Sequence, residues 1–493
     1  MLNQLNPFDS ETGANRLANP AWIGLVICIA AFSALVISKT EFVGTSALVI
    51  LPFVAIYLNY LFRHPIIGLY SAIGLGFVLM GLGKYISGIP IGVVMDAILI
   101  LTYVALIFNK FHEKIDFTPA NRDITYLAVI WFGYSLFELV NPEARNSAAW
   151  FSGRGIALYM LLIVPLTLIF IDSNKKLNIF FYLWGIFSLL ASLNGMKQHF
   201  IGVDHWEQAW LNDGNAQTHI LFGKLRSFSF MSDAGQFGAN QGYSALVAII
   251  LSMVQTDKRK KIFFIVVAVL ALYGMILSGT RGAMSVPLAG LMAFFVLRKN
   301  IRVMIIGFFL LLTVFVFFKY TSIGQGNDQI RRMRTAFDPN DASLQVRLEN
   351  QRRLATYLAS RPFGGGIGLG GVKAQKYLPN AFLSQVATDS WYVLIWVEQG
   401  IIGLSLHLFI LFYVLIKASY KIVFRIRDPI LKMKMAALAS GMFGIMVASY
   451  GNAVLGAMPT GMLIYTSMAL MLNAEKLDTV PAEISSGTKE LSN

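Results

Sequence analysis

Four arginines in polar segments of the chain are the residues best suited to chemistry. Arg226 lies within residues 224–242, Arg281 in a Ser-Gly-Thr-Arg-Gly-Ala hairpin, Arg347 in a segment of helical periodicity, and Arg361 before a glycine-rich run. A guanidinium binds phosphate oxygens through charge-assisted, often bidentate hydrogen bonds. We therefore expect the four arginines to contact an anionic ligand. The alternative for Arg281 is an arginine that reaches lipid phosphates at the membrane surface.

An acidic residue stands at the start of a late apolar run, and another lies further inside it. Asp389 precedes Trp391 and Tyr392, and Glu398 follows about 13 Å further along if the run is a regular helix. Acidic residues in or beside membrane-spanning runs are functional candidates by default, so we single out Asp389 and Glu398. The alternative for Trp391 and Tyr392 is a pair of aromatic anchors at the interface.

Metal and nucleotide motifs are missing from the sequence. There is no His-Glu-x-x-His and no Walker sequence, and the acids outside the apolar runs are scattered. Gly366-x-Gly368-x-x-Gly371 satisfies the dinucleotide pattern formally, but that pattern requires a preceding strand and a soluble βαβ unit. We therefore expect neither a metal nor a cofactor, and any phosphate charge must be stabilised by arginine.

The composition indicates a membrane protein that positions these residues. Of 493 residues, 56% are hydrophobic and 13% are charged, whereas a soluble domain has about 25% charged residues. The apolar runs are continuous and do not alternate, which favours helices over a barrel. We predict an all-α polytopic membrane protein with about 14 transmembrane helices (roughly 12–14). The candidate spans lie near residues 21–38, 43–62, 65–82, 91–109, 124–140, 154–172, 177–195, 240–256, 261–278, 283–297, 302–318, 390–416, 433–451 and 454–472.

The basic residues, which give the chain a net charge of +14, orient these spans. They cluster in alternate loops, for example at residues 258–261 and 417–434, which predicts that these loops and both termini are cytoplasmic. The single cysteine, Cys28, excludes an internal disulfide. A long outer segment is rich in arginine and contains a predicted helix over residues 343–360. The predicted segments are a cytoplasmic N-terminal segment 1–20, transmembrane helices 21–195, an outer loop 196–239, transmembrane helices 240–318, a large outer loop 319–389, transmembrane helices 390–472 and a cytoplasmic tail 473–493.

The order of the motifs resembles the O-antigen ligase and O-antigen polymerase superfamily. A loop arginine precedes an Asn-containing helix start, followed by SGTRGA, an arginine-rich outer helix, RPFGGGIG and EQGIIG. The resemblance covers residues 226–403. Ligases of the superfamily usually have a histidine just before the last motif, where this chain has Thr388-Asp389-Ser390.

The resemblance implies an integral glycosyltransferase of the bacterial inner membrane with a large periplasmic loop. Its donor would be a glycan on undecaprenyl diphosphate, and Arg226, Arg281, Arg347 and Arg361 would surround the diphosphate, with Arg281 also catalytic. The acceptor would be lipid A core, another glycan or a protein, with membrane lipids as surroundings and no nucleic acid. Asp389 is the candidate to replace the histidine as the catalytic base toward the acceptor hydroxyl. Trp391 and Glu398 would lie on the acceptor or sugar side. We expect metal-independent direct displacement with inversion at the anomeric carbon.

Two other functions remain compatible with the sequence. A polymerase of the same superfamily would differ from a ligase in its acceptor, and no residue decides between them. A transporter or flippase for a lipid-linked sugar would also bind diphosphate through arginine. It would, however, place charge along a midplane path and show internal repeats, neither of which is apparent here.

Overall fold

The computed structural model describes most of the chain as helix. The described residues are 27–28, 38, 48–86, 91–110, 115–221, 223–299, 301–326, 328–335 and 342–478. Within them the strands are β1 (Ile220–Leu221) and β2 (Lys224–Leu225), an antiparallel pair in which Ile220 faces Leu225.

The helices divide into those before and those after this small hairpin. The first group is α1 (Leu48–Arg63), α2 (Ile66–Leu82), α3 (Ile91–Lys110), α4 (Asp123–Phe137), α5 (Ser147–Gly153), α6 (Gly155–Phe170), α7 (Asn174–Phe200), α8 (His205–Trp210) and α9 (Ala216–His219). The second group is α10 (Ala234–Val254), α11 (Lys258–Leu277), α12 (Ser285–Leu297), α13 (Ile301–Tyr320), α14 (Asp328–Arg334), α15 (Ala342–Leu358), α16 (Phe382–Gln385), α17 (Trp391–Phe424), α18 (Pro429–Ala448) and α19 (Thr460–Leu477).

The architecture is all-α with apolar spans, as the composition predicted, but the count of 14 spans is not confirmed. In the described part of the chain, seven helices are long and apolar enough to cross a membrane. The number is eight if the bent pair α5 and α6 forms one span. Several predicted spans coincide with apolar helices shorter than 18 residues, such as α2 and α12. The predicted span at 21–38 lies outside the described residues, apart from residues 27, 28 and 38.

Helices α10, α18 and α19 form the most enclosed part of the bundle. Four in five residues of α10 are buried, including the polar residues Gln236, Asn240 and Gln241. Polar groups inside the bundle need partners, and Gln236 donates to Thr460 Oγ1 at 2.8 Å while Ser188 donates to Gln241 at 2.8 Å. These bonds fix α10 against α7 and α19.

Capping residues determine where the central helices begin. Asp233 accepts a hydrogen bond from Gln236 N at 2.9 Å at the start of α10, and Asp428 accepts one from Ile430 N at 2.8 Å at the start of α18. Pro429 occupies the first position of α18, where its missing N–H costs nothing. Because α10, α11, α12 and α18 run alternately up and down, the α10 start, the α11–α12 hairpin and the α18 end lie at one end of the bundle.

Candidate functional site

The site is built around Asn452, in the turn that joins α18 to α19. A Cβ on Gly282 of the α11–α12 hairpin would overlap Asn452 Nδ2, and a Cβ on Gly235 would lie 3.6 Å from Asn452 Oδ1. Asn452 therefore packs between the hairpin and the first turn of α10. Its Nδ2 is buried and has no hydrogen-bond partner among the described residues. An unpaired buried donor is uncommon in proteins, which makes Asn452 a candidate for contact with a ligand.

Arg281 opens a short 3-10 helix (Arg281–Met284) directly beside this asparagine. Its Nη1 donates to Thr335 Oγ1 at 2.9 Å, immediately after α14, so the hairpin and the large loop between α13 and α17 meet at this guanidinium.

Arg347 and Asp389 complete the group from the large loop. Arg347 Nε lies 3.4 Å from Asp389 Oδ2, and a Cβ on Gly451 would lie 3.7 Å from Arg347 Nη1. The side chains are 32% and 48% exposed, respectively, so both remain accessible. The Arg347–Asp389 pair therefore lies beside the Gly451–Asn452 turn, and this turn packs on the hairpin next to Arg281. We name Arg281, Arg347, Asp389 and Asn452 the outer cluster.

The segment that carries Asp389 is fixed to the end of α18. Trp391 N donates to Ser449 O at 2.9 Å, and Ser390 Oγ donates to the same carbonyl at 3.2 Å. Because Ser449 lies three residues before Asn452, the positions of the carboxylate and of the asparagine are coupled through one turn of backbone.

Asp233 gives the outer cluster an acidic neighbour at the α10 start. Burial alone would raise the pKa of this carboxyl, but the nearby charge of Lys373 and the hydrogen bonds from Gln236 N and Ser232 hold the pKa below its usual range. Asp233 is therefore an anion that caps α10, and Lys373 brings a cation from the large loop to the same place.

Arg226 connects the loop before α10 to the α11–α12 hairpin. Its Nη2 donates to Thr280 Oγ1 at 2.8 Å, its Nε to Ser278 O at 3.2 Å and its Nη1 to Thr218 O at 2.8 Å. Thr280 in turn donates to Ala234 O at 3.0 Å. With its nitrogens bonded to the protein in this way, Arg226 holds the hairpin that presents Arg281.

Arg361, which was expected near the anionic ligand, forms an ion pair with Glu143. Its Nε lies 3.3 Å from Glu143 Oε1, and its guanidinium carbon lies 4.1 Å from the centre of the Tyr357 ring. Glu143 follows α4, so this ion pair ties the large loop to the N-terminal half of the protein. An open cleft of ≈ 500 Å³ adjoins the pair and is also lined by Arg145 and Asn380. No contact in the described structure joins Arg361 to the outer cluster.

The glycine-rich run after Arg361 packs closely against the backbone of α17. Gly365 N donates to Val397 O at 2.8 Å, and Gly366 N donates to Glu398 O at 2.9 Å. Gly400 breaks α17 here with φ +66°, where a Cβ would overlap Pro362 O. Glycine is therefore required because the loop lies directly on the broken helix, and not because a nucleotide binds.

Trp391 and Glu398 are buried inside the bundle. Trp391 is 3% exposed and donates from Nε1 to His407 Nε2 at 3.0 Å, while its ring packs on Gly456. Glu398 is 4% exposed, and its carboxylate interacts with the backbone of Gly368 and Gly370. Trp391 therefore supports the packing of α17 against the α18–α19 turn, and Glu398 supports the glycine-rich segment of the large loop.

The sequence did not predict Asn452 as part of the site. It also did not predict Lys84, which supports the loop before α10. Lys84 donates to Met231 O at 2.8 Å and lies 3.8 Å above the centre of the Phe228 ring. Burial lowers the pKa of Lys84 to about 7, although Glu207, Asp233 and Asp204 oppose the shift. Nothing in a lone lysine of a short loop, or in a Gly-Asn turn between two apolar runs, signals these contacts.

Comparison with known proteins agrees with the motif order. The family model for O-antigen ligase matches residues 266–408, which contain Arg281, Arg347, Arg361 and Asp389. The resemblance to the O-antigen ligase superfamily is confirmed. No curated protein matches the chain. The match supports an O-antigen ligase-like enzyme of glycan assembly in a membrane, which acts on lipid-linked glycan and acceptor substrates in general.

The described residues contain no group of three or more His, Cys, Asp or Glu side chains that could hold a metal ion. The cations of the site are instead arginine and lysine side chains.

Proposed function

We propose that this protein is an inverting glycosyltransferase that moves a glycan from undecaprenyl diphosphate to an acceptor hydroxyl. The observation that carries the proposal is the outer cluster, in which the Arg347–Asp389 pair lies beside the turn of Asn452, and this turn packs on the hairpin next to Arg281. A site with this composition can stabilise a departing anionic group and can accept a proton from an attacking hydroxyl.

The diphosphate binds to Arg281, Arg347 and the Asn452 amide. Bond cleavage at the anomeric carbon transfers negative charge to the departing phosphate oxygen, and charge-assisted hydrogen bonds stabilise that charge more strongly as it develops. Arg226 acts here as a positioning residue, since its guanidinium fixes the hairpin that carries Arg281.

Asp389 serves as the general base. In the structure its carboxylate is paired with Arg347 at 3.4 Å, and a diphosphate that binds Arg347 releases the carboxylate for the acceptor. The acceptor oxygen attacks the anomeric carbon, and its proton passes to Asp389. The bond from the anomeric carbon to the diphosphate oxygen breaks, and its electron pair leaves with undecaprenyl diphosphate. A product with retained configuration contradicts this mechanism.

The remaining assignments follow from the orientation of the chain. We place the protein in the bacterial inner membrane, with the outer cluster at the periplasmic face and both termini in the cytoplasm. The acceptor is lipid A core, a glycan or a protein. A polymerase would differ only in using a second lipid-linked glycan as acceptor.

The test is a transfer assay with purified protein in liposomes. Undecaprenyl-diphosphate-linked glycan and a pool of acceptors are supplied, and free undecaprenyl diphosphate is followed. Arg281→Ala lowers its release at least about 100-fold (roughly 2.7 kcal/mol), because one stabilising guanidinium is lost. Arg361→Ala loses less, since its guanidinium contacts Glu143.

The matched control is Arg352→Ala on the same loop helix as Arg347. Arg352 is 80% exposed and pairs with Glu349 in the neighbouring turn, so its removal leaves the release rate within about twofold of the parent. Equal losses in Arg281→Ala and Arg352→Ala would mean that only the total positive charge at this end of the bundle matters, and the proposed site would be wrong.

A further inference from the structure

An apolar groove lies at the end of the bundle opposite the outer cluster. It has a volume of ≈ 430 Å³ and runs between α12, α17 and α18. Its walls are almost entirely hydrocarbon, and several wall residues are largely exposed, including Val296 at 57% and Phe424 at 61%. The larger lining side chains are Met292, Leu297, Leu415, Tyr420, Phe424 and Phe443.

Three cationic side chains stand at the mouth of this groove. Arg298 directly follows Leu297 of the wall, Lys299 Nζ lies 4.5 Å from the centre of the Phe424 ring, and Lys432 Nζ donates to Val423 O at 3.1 Å. Arg298 and Lys299 are exposed and lie close enough to Lys432 to repel its charge. No ion pair with a carboxylate is formed by any of the three in the described chain.

The cations and the groove are two unfavourable features, and a ligand with an anionic head and an apolar tail would relieve both. Like charges in proximity repel each other, and an open hydrocarbon groove beside a charged rim must be filled from the bilayer. The preference for Lys and Arg on the cytoplasmic side accounts for the presence of the cations. It does not account for three of them meeting at the end of one groove.

We propose that the groove is a binding site for an anionic glycerophospholipid. The phosphate lies between Arg298, Lys299 and Lys432, and one acyl chain occupies the space between α12, α17 and α18. Basic pockets between transmembrane helices on the cytoplasmic side are typical binding sites for anionic headgroups. A free phosphate would satisfy the cations but would leave the groove empty, so we expect it to bind much more weakly than the lipid.

The lipid would act on helices that also position the outer cluster. Helix α12 begins directly after the segment that carries Arg281, and α18 ends at the turn that carries Asn452. The headgroup site lies about 20 Å from the outer cluster along the 13 residues of α12. A lipid held between these helices therefore stabilises the packing of the catalytic end without contacting substrate.

The experiment measures lipid binding by the full-length protein in detergent, using native mass spectrometry and the thermal midpoint. The probes are phosphatidylglycerol, phosphatidylethanolamine and inorganic phosphate. We expect phosphatidylglycerol to bind at least about tenfold more tightly than phosphatidylethanolamine and to raise the thermal midpoint, and inorganic phosphate to do neither. Arg298→Gln/Lys299→Gln/Lys432→Gln removes this preference.

Two further variants keep the test decisive. Lys258→Gln/Arg259→Gln/Lys260→Gln neutralises an exposed basic cluster at the same end of the bundle and retains the preference. Ala293→Phe fills the groove without changing any charge and weakens phosphatidylglycerol binding even if the charge variant does not fold. Equal loss in the two charge variants, unchanged binding in Ala293→Phe, or equal binding of inorganic phosphate would overturn the proposal.

Discussion

The pair of Arg347 and Asp389 joins the two kinds of chemistry that the proposed reaction needs. The arginine neutralises charge and the carboxylate accepts a proton, yet at 3.4 Å each group occupies the other in the absence of substrate. A diphosphate would separate them, so donor binding would prepare the base. The residue types of this pair were predicted from the sequence, but their contact was not, because 42 residues separate them along the chain.

Asn452 offers a prediction that separates function from stability. Asn452→Ala lowers donor turnover about tenfold (about 1.4 kcal/mol), because a donor to the diphosphate is lost. The free energy of unfolding changes by less than about 0.5 kcal/mol, since Nδ2 has no partner among the described residues to lose.

Asn473→Ala is the matched control for Asn452→Ala. Asn473 is buried and accepts a hydrogen bond from Arg122 at 3.2 Å. Its loss should lower stability while turnover per folded molecule is retained. A variant of Asn452 that loses stability and activity in parallel would show that the asparagine is structural.

The lowered pKa of Lys84 predicts how the stability of the fold depends on pH. Its pKa is about 7 in the folded protein against 10.5 for the unperturbed side chain, so the unfolded chain binds more protons between these values. Stability therefore rises with pH from about 7 to 10.5, and the cost of the buried charge is present in full below pH 7. Lys84→Met removes this part of the slope, measured as the thermal midpoint against pH. An unchanged slope in the variant would exclude Lys84 as its source.

At the level of elements, the broken helix α17 organises the large loop. Gly400 adopts φ +66°, and residues 364–366 lie directly on the break. The sequence correctly placed the helix over 343–360, since its periodicity is a local signal. It did not predict where Arg361 would lie, because the ion pair with Glu143 is set by packing between distant segments.

Gly400→Ala tests this element. A Cβ at this φ would be strained and would also overlap Pro362 O, so the variant should lose at least about 1–3 kcal/mol of stability. Gly133→Ala is the control, because its position in α4 is open and alanine favours a helix. The measurement is the thermal midpoint of each purified variant. Similar midpoints in the two variants would mean that the break is not required.

At the level of the whole molecule, the composition predicted the helical membrane architecture, whereas the count of 14 spans is not confirmed in the described part of the chain. Hydropathy alone does not distinguish a spanning helix from a shorter apolar helix, as α2 and α12 show. The same limitation applies to the site. Arg281, Arg347 and Asp389 could be selected by type, whereas Asn452 and the burial of Trp391 depend on how the helices pack.

The central claim is that the protein transfers a glycan and does not move the lipid carrier. The most direct measurement follows labelled undecaprenyl-diphosphate-linked glycan in liposomes that contain the parent protein, with and without acceptor. We predict that free undecaprenyl diphosphate appears only when acceptor is present, and that the glycan is then found on the acceptor. Intact labelled lipid crossing the bilayer with no release would contradict the account and identify a transporter.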